Sequence, residues 1–288
     1  MLTGIDHIAI AVRDLDAAVG ELRERAGIEA GGGGIHPGAG TANRLAWFGD
    51  TYLELISVAD RTVAVAGFLG GPTVRVLDED GGGFVTFVLA SDDLDADVAR
   101  LRAAGSTMGE PFPGERRRPD GRVVRWRLAR AGAVGPDLPP FLIEHDTTAA
   151  EWTAAEREAR AADTHPVGGT LRLSELSLTV ADPPAVARGY LEAVGLAADA
   201  TPGAGIVFSI GSQRVVLDAA HPVASAAPRT VLRLVSDGGR PVSADLFGCR
   251  FEISPAHAPA ADERGGSGLQ RTVSSSPTAT RPGRSTSP

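Results

Sequence analysis

The feature that most constrains the fold is a repeated unit of one strand and one helix. The segment IDHIAIAVRDLDAAVGELRERAG (residues 5–27) is matched by VTFVLASDDLDADVARLRAAG (residues 85–105), in which DLDAAV recurs as DLDADV. Each copy reads as an alternating strand, an aspartate suited to capping, and an amphipathic helix that ends at a glycine. A fainter third copy, LSELSLTVADPPAVARGYLEAVG (residues 173–195), keeps the same order. The repeat predicts a fold built from one recurring supersecondary unit.

Each predicted helix is followed by further strand-like segments. The first copy continues with RLAWF (44–48) and TYLELISV (51–58), which are separated by a hairpin signal at Gly49-Asp50. The second copy continues with RVVRWRLA (122–129) and FLIEH (141–145), and the third with GIVFSI, RVVLDA, TVLRLV and CRFEIS. The unit is therefore a strand and a helix followed by two or three strands, which predicts an α+β fold.

Composition excludes several classes of function. The net charge of −8 argues against general nucleic-acid binding, which needs clustered positive charge. The chain has no lysine, which excludes a Schiff-base lysine and a P-loop. A single cysteine, Cys249, allows neither an internal disulfide nor a zinc-thiolate cluster. Without an apolar run of about 18 residues or a charged leader, we expect a cytoplasmic protein with no membrane partner.

With these motifs the chain resembles the vicinal oxygen chelate superfamily, and within it the glyoxalase-like proteins. The resemblance is carried by IDHIAIAVRDLDAA, by GIHPGAGTANRLAWFGDTYLELI, and by RPDGRVVRWRLA with PPFLIEH. It covers residues 3–147 well and residues 169–255 only loosely. It implies that two βαβββ modules pair into a cup-shaped mixed sheet with helices outside, and that the cup often holds a divalent metal.

The resemblance and the repeats together predict a domain organisation. We expect a glyoxalase-like domain (1–147, with module one at 1–60 and module two at 83–147), a linking helix (148–168), a third, degenerate module (169–255) and a disordered tail (256–288). An odd number of modules leaves one sheet without an internal partner. The third module therefore either packs against a second copy of the chain, giving a homodimer, or closes the side of the first cup.

Two residues of module one are the first site candidates. Strand alternation places His7 on a face otherwise occupied by small apolar residues, and it places Glu54 on the face opposite Leu53 and Leu55. Read alone, His7 is most simply a hydrogen-bonded core residue, and Glu54 could face water. The resemblance implies instead that His7 and Glu54 face each other across the cup.

Module two offers a less complete set. Aligning the repeats puts Thr86, a poor metal ligand, at the position of His7. In FLIEH, Glu144 stands at the usual carboxylate position beside His145, and only one of the two can face the cup. The resemblance therefore implies a metal site of His7, Glu54 and Glu144, with His36 or His145 as a substitute, for Zn, Ni, Mn or Fe. Glu54 and Glu144 are the expected catalytic residues.

Two further segments are predicted to contact a substrate, together with Trp47, Thr86, Trp126 and His145. The glycine-rich segment GGGGIHPGAGTANR reads as a flexible connection, and we expect its His36, Thr41 and Asn43 to line the mouth of the cup. Arg125 and Arg127 share one strand face. They bind a substrate carboxylate or phosphate if that face looks into the cup, and they are solvated if it does not.

These residues predict a divalent-metal-dependent lyase or isomerase that acts on a small oxygen-chelating substrate. One alternative is a non-catalytic protein that sequesters an apolar ligand, as bleomycin-resistance proteins do, with the ligand bound by Trp47, Phe48, Tyr52 and Trp126. A dioxygenase-like member is a further alternative, although Thr86 breaks the two-histidine-one-carboxylate set of that class. The cup could also be degenerate and serve as an interaction module.

Overall fold

The computed structural model describes residues 1–200, 205–220 and 228–256. These residues lie in one compact unit, Met1–His257. The tail predicted for residues 256–288 lies outside the described residues apart from its first position. None of the described helices is long and apolar enough to cross a membrane.

The first half of the chain forms a closed barrel of eight strands. These are β1 (Leu2–Ala11), β2 (Gly31–His36), β3 (Thr41–Phe48), β4 (Thr51–Val58), β5 (Gly83–Ser91), β6 (Phe112–Arg117), β7 (Val123–Ala129) and β8 (Phe141–His145), in the order β1-β4-β3-β2-β6-β7-β8-β5. Strand β1 runs parallel to β4 and antiparallel to β5, and β5 runs parallel to β8. Two βαβββ modules thus close on each other, which confirms the predicted fold class.

Helices connect the strands at the predicted places, with two additions. They are α1 (Leu15–Glu21, continued by a π-helical turn at Leu22–Ala26), α2 (Arg61–Ala64), α3 (Gly70–Glu79), α4 (Leu94–Ala103), α5 (Ala154–Ala161) and α6 (Pro183–Val194). The repeated aspartates Asp14, Asp93 and Asp182 cap α1, α4 and α6 by accepting hydrogen bonds from backbone N–H groups. The sequence did not predict α2 and α3, and the linking helix is α5.

The glycine-rich segment before His36 is strand β2 and not a flexible connection. A Cβ atom at Gly33 would lie 2.1 Å from the carbonyl oxygen of Asn43, and one at Gly34 would lie 2.2 Å from that of Arg117. Because strands β3 and β6 approach β2 so closely, only glycine fits at these two positions. The glycines therefore allow the barrel to close between the two modules.

A second sheet follows α5. Its strands are β9 (Leu171–Val180), β10 (Ile206–Ile210), β11 (Gln213–Ala219), β12 (Thr230–Ser236), β13 (Val242–Leu246) and β14 (Cys249–Pro255), in the order β10-β11-β9-β12-β14-β13. This order repeats the central strands of the barrel (β3-β4-β1-β5-β8-β7), with the same parallel pairs. The region 169–255, which we expected to hold one degenerate module, thus holds counterparts of both modules. Among the described residues, strands equivalent to β2 and β6 are missing from it.

The second sheet packs on the outer wall of the barrel. Ile8 and Ile10 of β1 point outward into an apolar cluster shared with Phe208 and Phe251 of the second sheet and with Tyr190 of α6. All five side chains are almost completely buried. The second sheet therefore covers the side of the barrel from within the same chain, and the opposite face of β1 is left to line the barrel interior.

Candidate functional site

The interior of the barrel contains a cavity of about 880 Å³, which we call the cup. Residues of seven strands line it, and β5 contributes none. All three tryptophans of the chain, Trp47, Trp126 and Trp152, lie in its wall. At its apolar end, Phe68 packs edge-to-face against Phe112 and Phe141, with ring centroids 5.6 and 5.5 Å apart. The size and the largely apolar wall are typical of a small-molecule site.

A buried carboxylate joins two histidines at the wall of the cup. One oxygen of Asp6, Oδ1, lies 2.6 Å from Nδ1 of His7, and the other, Oδ2, lies 3.0 Å from Nε2 of His145. Asp6 is only 2% exposed. Strict alternation would point Asp6 away from His7, but the pairing of β1 with β5 shifts register between Ile5 and His7. This irregularity brings Asp6 and His7 together, and it is the reason the sequence did not predict Asp6.

The bulge is held by side chains from two other strands. The Ile5 N–H donates to Oε1 of Gln213, and the Ile5 carbonyl accepts a hydrogen bond from Oγ1 of Thr51. The Gln213 amide also donates to Oγ1 of Thr51. The second sheet, through Gln213, therefore satisfies backbone groups directly before the Asp6 and His7 pair.

Asp6 is ionised and fixes the orientation of His7. Burial alone would raise the pKa of the Asp6 carboxyl, but the charge and hydrogen bonds of His145 and His7 outweigh it and hold that pKa far below its usual value. An ionised carboxylate only accepts hydrogen bonds, so Nδ1 of His7 carries a proton. The second ring nitrogen, Nε2, is left to face Glu54 at 3.6 Å from its Oε2 atom.

Glu54 is oriented by an amide and by the nearby strands. The Asn43 Nδ2 atom donates to Oε1 of Glu54 at 2.6 Å, and Oδ1 of Asn43 accepts from the Gly34 N–H and from Nη1 of Arg116. Because both of these groups are donors, they fix the oxygen of the Asn43 amide on their side and leave its NH2 group to face Glu54. Glu54 itself is buried, at 4% exposure. A carboxylate and an imidazole nitrogen are thus held side by side in a largely apolar cavity.

Two aromatic rings complete this part of the wall. Tyr52 stacks on His7, with ring centroids 4.7 Å apart and an interplanar angle of 17°. Burial, with the nearby charges of Asp6 and Glu54, raises the pKa of the Tyr52 phenol, so it stays protonated. Trp152 stacks on His145 at 3.6 Å. The two stacked rings restrict how far His7 and His145 can rotate.

His36 and Thr41, both predicted to line the cup, do so. The Nδ1 atom of His36 lies 3.0 Å from Oγ1 of Thr41, and its Nε2 atom lies 4.0 Å from Oε1 of Glu54. Burial lowers the pKa of His36 to about 4, and the charge of Arg116 acts in the same direction, whereas Glu54 opposes it. His36 is therefore neutral at physiological pH.

The low pKa of His36 predicts a loss of stability in mild acid. Because the pKa of His36 is about 4 in the folded protein and 6.5 for a free histidine, the unfolded chain takes up a proton between these pH values that the folded protein does not. The contribution of His36 to the free energy of unfolding is thus fully present above about pH 6.5. It is lost as the pH falls toward 4, which lowers the free energy of unfolding by an amount on the order of 2–3 kcal/mol. Urea unfolding at pH 7 and pH 5 should show a smaller loss for His36→Gln than for the wild type. Equal losses in both proteins would contradict this assignment.

In module two it is His145, not Glu144, whose side chain faces the cup. The two carboxylate oxygens of Glu144 contact the Leu94 N–H, in the first turn of α4, and the guanidinium of Arg127. Strand alternation turns Glu144 outward and His145 inward, so the structure does not bring Glu144 together with His7 and Glu54. Thr86 is buried, with its hydroxyl on the Phe87 carbonyl, and it is not part of the cup wall.

The predicted arginine pair also points outward. The inward face of β7 carries Val124, Trp126 and Leu128, which belong to buried apolar clusters. Arg125 is exposed, and Arg127 pairs with Glu144 and Asp95 on the outer surface. Arg116 on β6, which is 4% exposed and which the sequence did not single out, brings its guanidinium to the wall of the cup beside Asn43.

The donor atoms do not fit the expected three-ligand metal site. His7 and His36 both approach Glu54, but one oxygen of Glu54 already accepts the Asn43 amide and the third expected ligand, Glu144, lies elsewhere. Among the described residues, no group of three or more His, Cys, Asp or Glu side chains could hold a metal ion. We therefore derive the chemistry of the cup from the side chains of the protein.

Comparison with known proteins places the chain in a family. A family model described as a glyoxalase-like domain matches residues 5–194, about two thirds of the chain. The chain belongs to the glyoxalase-like domain family. As a family member it shares its two-part architecture with a hypothetical protein from Staphylococcus aureus, at a TM-score of 0.70 and 15% identity over 87% of this chain and 98% of that one.

Smaller solved structures overlap with half of this glyoxalase-like chain. The methylmalonyl-CoA epimerase of Mycobacterium tuberculosis has a TM-score of 0.38 and 23% identity, over 50% of this chain and 88% of its own. A variant of the Streptomyces coelicolor methylmalonyl-CoA epimerase has a TM-score of 0.38 and 25% identity, over 50% and 98%. No curated protein matched the chain.

Proposed function

We propose that the cup is an active site for proton transfer, and that the protein is an isomerase or lyase acting on a small oxygen-bearing substrate. The observation that supports this most directly is the buried series Asp6, His7 and Glu54. An imidazole held by a carboxylate on one nitrogen, with the other nitrogen facing a cavity, is the usual arrangement of a general base. The largely apolar surroundings strengthen the electrostatic interactions made there.

The proposed chemistry uses two neighbouring basic groups. The Nε2 atom of His7 removes a proton from a carbon next to a substrate carbonyl, which breaks the C–H bond and leaves its electron pair on an enolate. The imidazolium that forms is stabilised by the Asp6 carboxylate at Nδ1. In an isomerase, the His7 imidazolium returns that proton to the adjacent atom, either directly or by passing it to Glu54, whose oxygen lies 3.6 Å away. In a lyase, the enolate instead expels a leaving group.

Deuterium incorporation tests the proposal without knowledge of the physiological substrate. Wild-type protein is incubated in D₂O with a panel of small hydroxy ketones and keto acids, and C–H loss is followed by proton NMR. We expect at least one compound to exchange the proton next to its carbonyl faster than in buffer alone. If no compound exchanges while tryptophan fluorescence shows that the same compounds occupy the cup, the proton-transfer proposal is contradicted.

Dependence on a divalent metal stays a prediction of the sequence. The geometry of the candidate ligands supports the opposite expectation, which is proton transfer without a metal. We expect protein dialysed against a chelator to keep its exchange activity, because His7 and Glu54 supply the proton acceptors themselves and Asp6 stabilises the imidazolium. Metal analysis of the dialysed sample confirms that the metal has been removed. Loss of exchange that Zn²⁺, Ni²⁺, Mn²⁺ or Fe²⁺ restores would instead support the metal-dependent enzyme.

A second candidate function is the binding and sequestration of an apolar molecule. It is favoured by the aromatic wall, which includes Trp47, Trp126, Trp152 and the Phe68 cluster. Because all three tryptophans lie in the cup, intrinsic fluorescence reports its occupancy directly. Tight binding of aromatic compounds that is unchanged in His7→Gln, together with no proton exchange, would support this function over the enzymatic one.

A further inference from the structure

An acidic residue from outside the barrel is inserted into the wall of the cup. Glu151 lies in the connection between β8 and α5, and its backbone is left-handed, at φ 71°. Its carboxylate pairs with Nη2 of Arg116 and, at 2.5 Å, with Nη1 of Arg118. The side chains of Arg116 and Glu151 are 5% and 8% exposed. A glutamate rarely adopts this backbone conformation, so its place in the wall is held by the two arginines.

The same insertion separates two cavities. Trp47 and Glu151 line both the cup and a neighbouring cavity of about 520 Å³. Beside them, the guanidinium of Arg160 lies over the rings of Trp47 and Trp152, 4.0 and 5.0 Å from their centroids. Glu151, Trp152 and Arg160 therefore form a partition that is continuous with the wall of the cup.

The partition leaves several buried guanidinium nitrogens without a hydrogen bond. The Nε atom of Arg116 and the Nε and Nη2 atoms of Arg160 are buried and make no hydrogen bond within the described residues. Buried guanidinium nitrogens without hydrogen-bond acceptors are costly, because these groups lose hydration that ring contacts and, for Nη2 of Arg160, an Asp50 oxygen 3.8 Å away replace only in part. Where Glu151 meets Arg116 and Arg160, the guanidinium N–H groups thus outnumber the acceptor oxygens that bind them.

Arg116 is connected to the proposed catalytic groups through a single side chain, that of Asn43. Nη1 of Arg116 donates to Oδ1 of Asn43 at 3.3 Å, and the Asn43 amide donates to Glu54 at 2.6 Å. A carboxylate held by Arg116 would place its adjacent carbon atoms on the side of the cup that carries Glu54 and His7. Guanidinium groups match a carboxylate better than any other side chain does.

From these contacts we propose that Arg116, in the wall of the cup, and Arg118, in the neighbouring cavity, form a carboxylate-binding site at the partition, which Glu151 occupies as an internal stand-in for the substrate. The inference rests on the proposed function, and it names the substrate class as a small keto or hydroxy acid. The substrate carboxylate takes the place of the Glu151 carboxylate on the two arginines. The connection that carries Glu151 and Trp152 then moves away from the cup.

The test compares two probes that differ in charge, phenylacetate and phenylacetamide, by titration of tryptophan fluorescence. Glu151→Gln keeps the size of the side chain but removes the competing carboxylate. We expect it to bind phenylacetate at least about tenfold more tightly than the wild type does, and phenylacetamide about equally. In the double variant Arg116→Gln/Glu151→Gln the gain for phenylacetate should be lost. Equal phenylacetate affinity in wild type and Glu151→Gln, or an equal gain for both probes, overturns the proposal.

Hydrogen exchange of the wild-type protein tests the same proposal if Glu151→Gln fails to fold. Saturating phenylacetate should increase amide exchange in residues 147–153, whereas phenylacetamide should not, and an unchanged exchange pattern overturns the proposal. Neither readout depends on proton transfer. If the wild-type protein binds phenylacetate in this way but exchanges no substrate proton, the proposed function is contradicted and the carboxylate site stays supported.

Discussion

His7→Gln and Glu54→Gln should each lower the rate of substrate proton exchange by about two to four orders of magnitude, the usual contribution of a general acid or base. Glutamine keeps the polarity and roughly the size of each side chain but accepts no proton near neutral pH. His7 would lose the nitrogen that faces the cup, and Glu54 would lose the carboxylate that lies 3.6 Å from it. The rates are measured by deuterium incorporation with the best substrate of the panel.

The control for His7→Gln is His165→Gln. His165 is also a buried histidine, but it contacts the Glu29 N–H and the Trp47 carbonyl outside the cup. We expect its exchange rate to stay within about threefold of the wild type. A His7→Gln protein that folds and exchanges at the rate of the His165→Gln control would contradict a catalytic role for His7.

Asp6→Asn is expected to have the second largest effect, about a hundredfold or more on the same rate. The geometry of Asp6 survives the change, but an amide can donate to Nδ1 of His7 and so moves the ring proton to Nε2, the nitrogen that should act as base. The equivalent aspartate-to-asparagine change in serine proteases lowers kcat about ten thousandfold. Asp6→Asn also removes the buried charge that pairs with His145.

Measurements of stability distinguish a loss of activity caused by the altered His7 tautomer from one caused by unfolding. Urea midpoints of Asp6→Asn and of His145→Gln are compared, because both variants weaken the contact between Asp6 and Nε2 of His145, the first by removing the carboxylate charge and the second by removing the imidazole. We expect both to be destabilised, with His145→Gln losing much less exchange activity, since it leaves Nδ1 of His7 on a carboxylate. Equal losses of activity in the two variants would show that Asp6 acts through stability and not through His7.

The sequence predicted the architecture because the architecture is periodic. DLDAAV and DLDADV mark equivalent helix starts, and the alternation in IDHIAIAV and TYLELISV correctly assigns inward and outward faces. Strand β2 was missed because glycine has no strand signal, although close contact with Asn43 and Arg117 requires it there. The number of modules in the second sheet was underestimated, because no further copy of the strand-helix motif precedes its later strands in the sequence.

The site was predicted only where side chains follow simple alternation. His7 and Glu54 lie together as that rule implies, whereas His36 and Asn43 were expected at the cup from the family resemblance of their segment. Asp6 enters the site through a bulge, which depends on Gln213 more than 200 residues later and so has no local signal. The face of Arg125 and Arg127 stayed open in the sequence, and Arg116 was not singled out, since nothing in an arginine-rich hairpin shows which side is buried. Trp152 and Glu151 reach the cup through tertiary packing of the linking segment.

A double-mutant cycle tests the central claim, that Asp6 and His7 act as one proton-transferring unit. Exchange rates are measured for the wild type, Asp6→Asn, His7→Gln and the double variant, each shown to be folded. Because Asp6 acts only through His7, the double variant should exchange no more slowly than His7→Gln alone. Losses that multiply in the double variant would mean that the two residues act independently, and would contradict the account.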